Sequence, residues 1–165
     1  MIDRTVIRAH HQAAGAKRAT PRQDFGRSRG GFTTKIHLRV NGAGLPMRSE
    51  ITPGQTSDHP GFDLVMADNL PEPCVLLADR GYGSDNVRTT MEARNVVPVI
   101  AMRQSRKLRV AADRTLCRVR NLVERRFNKL KNARRVATRY DKTAASFLGV
   151  IEVTFIRIWL RHLST

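Results

Sequence analysis

An α/β domain, a mixed sheet flanked by helices, is predicted by three features of the 165-residue sequence. Residues 32–51 alternate apolar and polar side chains on either side of Asn41-Gly42, the pattern of a hairpin. Residues 74–78, Cys-Val-Leu-Leu-Ala, are continuously apolar, as a strand covered on both faces requires. Residues 113–132 and 143–162 repeat apolar positions at helical spacing. About 150 residues bury roughly 70% of their unfolded surface, enough for a core. No internal repeat and no Gly/Ser-rich or Pro-rich linker divides the chain, so residues 1–165 are read as a single domain.

Taken in order, Ile2, Val6 and Ile7 among polar residues mark 2–9 as a strand, and the small, basic, turn-rich segment Gln12 to Gly31 reads as a loop. Phe32, Ile36, Leu38 and Val40 form the first hairpin strand and Pro46 to Ile51 the second. Asp58 is placed to cap a short helix running through Leu64, Val65 and Met66, ahead of the breakers Pro71 and Pro73. The buried strand 74–78 ends in Asp79-Arg80-Gly81-Tyr82-Gly83, which puts a carboxylate at its tip. A helix from Ser84 to about Arg94 follows, then a strand at 96–102 that Pro98 assigns to a sheet edge. Leu116, Val119, Val123, Phe127 and Leu130 predict a long helix over 113–132 with Asp113 as N-cap. Thr143 to His162 is apolar on nearly every side and is expected as a buried helix on the sheet. The order strand, hairpin, helix, strand, helix, strand, long helix, helix is that of the ribonuclease H-like fold.

Charge narrows the function classes. Thirty Lys and Arg against 14 Asp and Glu exceed what solubility needs, and a polyanionic partner is the default inference. Residues 103–142 hold 15 of the basic residues against Asp113, Glu124 and Asp141, a net +12 of the total +16. Charge runs are usually solvated faces; concentration of most of the excess in one quarter of the chain points to nucleic acid instead. Cys74 and Cys117 are too few and too far apart for a disulfide framework or a zinc site. No signal-peptide or membrane-length apolar stretch is present, so a soluble cytoplasmic protein with no membrane partner is expected.

Phosphodiester chemistry needs charge neutralised on attacking and leaving oxygens, which two Mg²⁺ (or Mn²⁺) ions about 3.5–4 Å apart supply. Hard cations want carboxylates gathered from separate elements. Asp3 on the first strand, Asp79 at the tip of the buried strand and Glu124 on the long helix have that distribution. Each alone has an ordinary reading as turn residue, cap or salt-bridge partner. Separation of the three beyond about 10 Å would dissolve the triad. Arg120, Glu124 and Lys131 share one helix stripe, because steps of four and seven residues nearly complete whole turns. Asp58, Asp63, Asp85 and Asp113 are read as capping or surface groups. The five histidines show no ligand spacing, and adjacency points His10 and His11 apart in strand or helix.

The spacing arginine, three residues, glutamate, six residues, lysine at Arg120, Glu124 and Lys131 resembles the signature around the last acid of DDE transposases of the insertion-sequence-five type. The resemblance runs through DRTVIRAHHQAAGAK, GRSRGGFTTKIH, TPGQTSD and LADRGYGSD and so covers nearly the whole chain. It implies a metal-binding triad of Asp3, Asp79 and Glu124, with Arg120 and Lys131 contacting double-stranded DNA near a transposon end. Arg125, Arg126, Arg134 and Arg135 of the basic segment are expected to neutralise phosphates. Cys117 stands where the family pattern has tyrosine, which leaves that residue's DNA contact unfilled. The implied activity is cleavage at transposon ends and strand transfer into target DNA, by a homo-oligomer acting on two ends. The alternatives are a nuclease that cuts without joining and a non-catalytic nucleic-acid-binding protein; divalent-metal dependence separates enzyme from binder.

One expectation concerns the start of the chain. Only Met1 and Ile2 precede Asp3, termini fray unless tied down, and catalysis tolerates little misplacement. Asp3 is therefore expected to be loosely held. The resemblance also implies an upstream DNA-binding segment encoded in a preceding reading frame, so that this chain alone would bind DNA and fail to cut.

Overall fold

The computed structural model describes residues 1–13, 23–67, 70–101 and 114–164. The basic loop that follows residue 102, the cap Asp113 and the side chain of Cys117 lie outside the described residues, as does 14–22 of the expected first loop.

Among the described residues the strands are β1 (Ile2–Ala9), β2 (Gly26–Ser28), β3 (Gly31–Val40), β4 (Pro46–Pro53), β5 (Val75–Ala78), β6 (Val97–Ile100) and β7 (Thr138–Arg139). The helices are α1 (His59–Val65), α2 (Asp85–Ala93), α3 (Arg114–Val119), α4 (Asn121–Lys131), α5 (Arg134–Ala137) and α6 (Ala144–Leu163). The strands form one mixed sheet in the order β2-β3-β1-β5-β6, with β4 also on β3 and β7 also on β1. β1 runs antiparallel to β3 and parallel to β5, and β6 runs parallel to β5 at the edge where Pro98 was expected. The first acid thus lies on the central strand of a ribonuclease H-like sheet.

Sequence pattern and pleat explain the two cores. Met1, Ile7, Ile36, Leu38, Val40 and Leu77 face α4, α5 and α6, where Val123, Phe127, Leu130, Phe147 and Ile151 meet them. Ile2, Leu76, Ala78 and Ile100 face the other way, onto Phe62 and Val65 of α1 and Val87 and Met91 of α2. Side chains alternate along a strand. Asp3 therefore shares the face of Met1, and Asp79 continues the face of Leu77, both toward α4. In the β3–β4 turn Asn41 Oδ1 accepts from Ala43 N at 3.0 Å and Leu45 N at 2.8 Å. The left-handed position falls on Gly44, φ +73°, where a side chain would also press on Leu122.

Four expectations change. Gly26–Ser28, expected as loop, is a short strand paired with Gly31–Thr33 across the tight turn at Arg29-Gly30, a local hairpin that a polar, glycine-rich sequence without alternation does not advertise. The single helix over 113–132 is two, α3 and α4, joined at Arg120, whose φ −55° and ψ −25° keep the two nearly continuous. Helix α6 buries Phe147, Ile151 and Phe155 but leaves Val153, Ile156, Leu160 and Leu163 exposed, because the sheet covers only one face of it. His10 and His11 do not diverge: their rings lie 4.0 Å apart and His10 stacks on Tyr140, because the chain leaves β1 at Ala9 into a 3-10 turn and the strand alternation ends there.

The start of the chain is not loose. The Met1 amino group donates to Val40 O at 2.8 Å, Val40 N donates to Met1 O at 2.9 Å, and Ile2 is fully buried between Arg39 of β3 and Ala78 of β5.

Candidate active site

Three elements bring the predicted acids together. Asp3 is on β1, Asp79 follows β5 directly, and Glu124 lies in the first turn of α4. Ile2 pairs with Ala78, so the residues that follow each of them, Asp3 and Asp79, emerge side by side. Helix α4 buries Val123, which turns the adjacent Glu124 toward the same end of the sheet.

A single guanidinium touches all three. Arg120 Nη1 lies 3.6 Å from Asp3 Oδ2 and 3.3 Å from Asp79 Oδ1, while Nη2 lies 2.9 Å from Glu124 Oε1. Two acids in contact with one planar group cannot approach the roughly 10 Å separation that would dissolve the triad. The Arg120–Glu124 pair is the i, i+4 contact that the helical stripe predicted. What the stripe did not predict is that Arg120 also reaches across to both strands.

Asp3 is buried and accepts from Arg4 N at 2.8 Å. Burial pushes its carboxyl up to about 6, with Asp79 and Glu124 adding to the rise and the Arg4 amide and Arg120 opposing it. Among the described residues no three Asp, Glu, His or Cys groups stand close enough together as placed to ligate one ion; Arg120 stands among the acids. The donor set itself fits a hard divalent cation, being three carboxylates from separate elements gathered around one positive charge.

Behind the acids lies a polar layer that sequence reasoning missed. Asp58, expected to cap or lie at the surface, occupies the N-cap position of α1 without a side-chain cap bond. Its carboxylate is buried instead, with Oδ1 2.7 Å from Lys35 Nζ and Oδ2 bonded to Arg4 Nε. Burial would raise its pKa, but the hydrogen bonds from Lys35 and Arg4 outweigh it and hold the group below the usual carboxylate range. Gly81, in the turn after Asp79, packs against this carboxylate, and a Cβ there would lie 2.1 Å from Oδ2. Asp58 thereby ties β1, β3 and the turn bearing Asp79 together. Beside it His37 is fully buried, 2.8 Å from Tyr82 Oη and 2.9 Å from Thr52 Oγ1. The TPGQTSD stretch carried Asp58 as a motif residue, but only the pairing of β1 with β3 reveals its partners. The other acids differ: Asp63 and Asp85 are exposed, as expected.

The predicted phosphate-contacting residues spread over several faces. Lys131, Arg125 and Arg134 are exposed, Arg126 Nη2 donates to Ala43 O at 3.2 Å, and Arg135 pairs with Asp141 at 2.6 Å.

This sheet order, with helices on both faces and acids at the tips of the central strands, is that of the ribonuclease H-like fold. Comparison with known proteins sharpens the class. The chain belongs to the transposase DDE domain family, which it matches over residues 1–159. It is similar to a candidate transposase for insertion sequence element IS6501 from Brucella ovis, 33% identical over 131 residues that make up 79% of this chain and 100% of that relative. It also resembles in structure the catalytic core domain of BIV integrase, with a TM-score of 0.42 at 10% identity over 94% of this chain and 80% of the integrase chain. The transposase reading of the sequence stands. No helix among the described residues is long and apolar enough to cross a membrane.

Proposed function

We propose that Asp3, Asp79 and Glu124 are the catalytic triad of this transposase domain and hold divalent metal, Mg²⁺ or Mn²⁺, for cleavage of DNA at transposon ends and strand transfer into target DNA. The observation that carries the proposal is the convergence of the three carboxylates on Arg120. Three negative charges gathered about one guanidinium at the tip of the central strands support a cation site there. Bound there, divalent ions would lower the pKa of an attacking water and neutralise charge on the leaving oxygen.

The chain's own residues supply position and charge. Burial and the Arg4 amide fix Asp3, the Asp58–Gly81 contact fixes the turn carrying Asp79, and the packing of Val123 and Phe127 fixes Glu124. Lys131, one stripe along from Glu124, and Arg125, Arg126, Arg134 and Arg135, which spread over several faces, would each neutralise DNA phosphates. Two ends must be joined to one target, so the active species is a homo-oligomer assembled on DNA.

The test is Asp79→Asn and Glu124→Gln, each of which removes a ligand charge at nearly constant volume. Both variants should keep the fold and DNA affinity and lose Mg²⁺-dependent cleavage of end-containing DNA. They should also lose the rise in melting temperature that Mg²⁺ gives the native chain. Native cleavage by either variant refutes its assignment.

A further inference from the structure

Helix α6 carries two apolar stripes. Phe147, Ile151 and Phe155 are buried on the sheet, while Val153, Ile156, Leu160 and Leu163 are 67%, 58%, 61% and 74% exposed. At 100° per residue the exposed four fall within an arc of roughly 80°, whose centre lies roughly 160° around the helix from that of the buried three. No other helix among the described residues exposes more than one large apolar side chain. Single exposed apolar residues are ordinary on a folded surface, but a contiguous row of them marks a surface that another molecule covers.

The row has a period. Counted from Gly149 it steps by four, three, four and three residues, the repeat of a seam between two helices rather than of one helix lying on a sheet. Glycine inside a helix costs stability relative to alanine, and a Cβ at Gly149 would meet nothing within 4 Å, so packing within one copy does not require it. A second helix crossing close to α6 does. Charge sets the partner and its direction. Glu152 lies roughly 60° to one side of the stripe's centre and Arg157 roughly 80° to the other, and both are exposed. Two copies of α6 packed side by side in the same direction place Glu152 of each against Arg157 of the other, where the flanking ion pairs of a helical seam form. Packed in opposite directions, they would set like charges against each other.

We propose that the exposed stripe of α6 binds a second copy of this chain, in a parallel, two-fold symmetric pair that meets along Gly149, Val153, Ile156, Leu160 and Leu163 and is flanked by two Glu152–Arg157 ion pairs. One patch faces itself across the axis, as a two-fold interface requires. The contact needs neither DNA nor metal, so it goes beyond the assembly on DNA given above and stands or falls apart from the triad.

The experiment is sedimentation equilibrium of the full chain without DNA. Salt of about 0.15 M screens repulsion between two chains of charge +16 beyond about 8 Å and leaves close pairs in force. At tens of micromolar the native chain should sediment at twice the 18.6 kDa of one copy. Ile156→Gln combined with Leu160→Gln should raise the dissociation constant by about 100-fold or more, because each apolar side chain kept from water is worth about tenfold or more. Glu152→Arg and Arg157→Glu should each raise it by about 5- to 30-fold, because symmetry removes two ion pairs at once. The two together should return it to within about 3-fold of the native value, since the pair is restored with its signs exchanged. Within one helix the two residues lie roughly 140° apart, so that rescue cannot arise inside a single copy.

A native chain that stays monomeric overturns the proposal and leaves the stripe to a different occupant. A dimer indifferent to the glutamine pair also overturns it, since the interface then lies elsewhere. Charge variants that leave the dimer unchanged, or a double exchange no better than either single one, overturn the parallel pairing. Should the glutamine pair fail to fold by melting temperature, Leu163→Gln alone, 74% exposed in the last turn of α6, gives the same reading at about tenfold.

Discussion

Arg120 is the residue whose loss tests the site most directly. Replacing it by glutamine removes the only positive charge in contact with Asp3, Asp79 and Glu124 together among the described residues. The Glu124 contact is a half-exposed i, i+4 pair, worth about 0.3–0.5 kcal/mol. The Asp79 contact, with both side chains about 30% exposed, is worth about 0.2–1 kcal/mol after solvent screening. Asp3 is only 8% exposed and keeps the Arg4 amide, so its longer contact adds little on its own, but it loses a counter-charge it cannot replace from water. The sum is about 0.5–1.5 kcal/mol in metal-free buffer, a fall in melting temperature of roughly 1–6 °C for a domain of this size. Mg²⁺ should narrow the gap by half or more, because in the variant no guanidinium competes with the ion for the three carboxylates. Differential scanning fluorimetry in EDTA and in Mg²⁺ reads both quantities, with Arg125→Gln as an exposed control expected to shift by no more than about 0.5 kcal/mol. Arg120→Gln melting like the native chain in EDTA, or a gap that Mg²⁺ leaves untouched, would refute the account of Arg120 as the charge that holds the triad together.

Three further outcomes follow from the same geometry. Asp58→Asn leaves Lys35 and Arg4 without their shared carboxylate, and breaking a buried pair costs about 3 kcal/mol or more, measurable by urea unfolding; a loss under about 1 kcal/mol would mean water reaches the site. Burial holds His37 down to about 4 from its usual 6.5, so the unfolded chain binds its proton first as pH falls. That contribution is complete above about pH 6.5, is lost as pH drops toward about 4 and amounts to at most about 3 kcal/mol. Asp3, raised to about 6, runs in the opposite sense, so the quantity to measure is the stability difference between the native chain and His37→Gln, which should grow with pH across that window; a flat difference would contradict a neutral buried imidazole. Lys131→Ala should weaken duplex binding and cut the salt slope by about 0.9, and an unchanged slope would make Lys131 a structural residue.

What local sequence determined is whatever depends on period and punctuation. Alternation marked β3 and β4, the apolar run at 74–78 marked a covered strand with Asp79 at its tip, and steps of four and seven residues put Arg120, Glu124 and Lys131 on one helical stripe. These are short-range properties of the backbone, set within a turn or a pleat. Tertiary structure decided the rest, because each remaining feature joins residues far apart in the chain. Asp58 looks like a helix cap until β1 and β3 pair and bring Arg4 and Lys35 onto its carboxylate. Helix α6 looks buried all round until the sheet proves wide enough for only one of its faces. Arg120 is the clearest case: the helix alone assigns it to Glu124, and only the parallel register of Ile2 with Ala78 sets Asp3 and Asp79 close enough for one guanidinium to bind all three acids. Charge acts through space, and the space is made by contacts that no local pattern records.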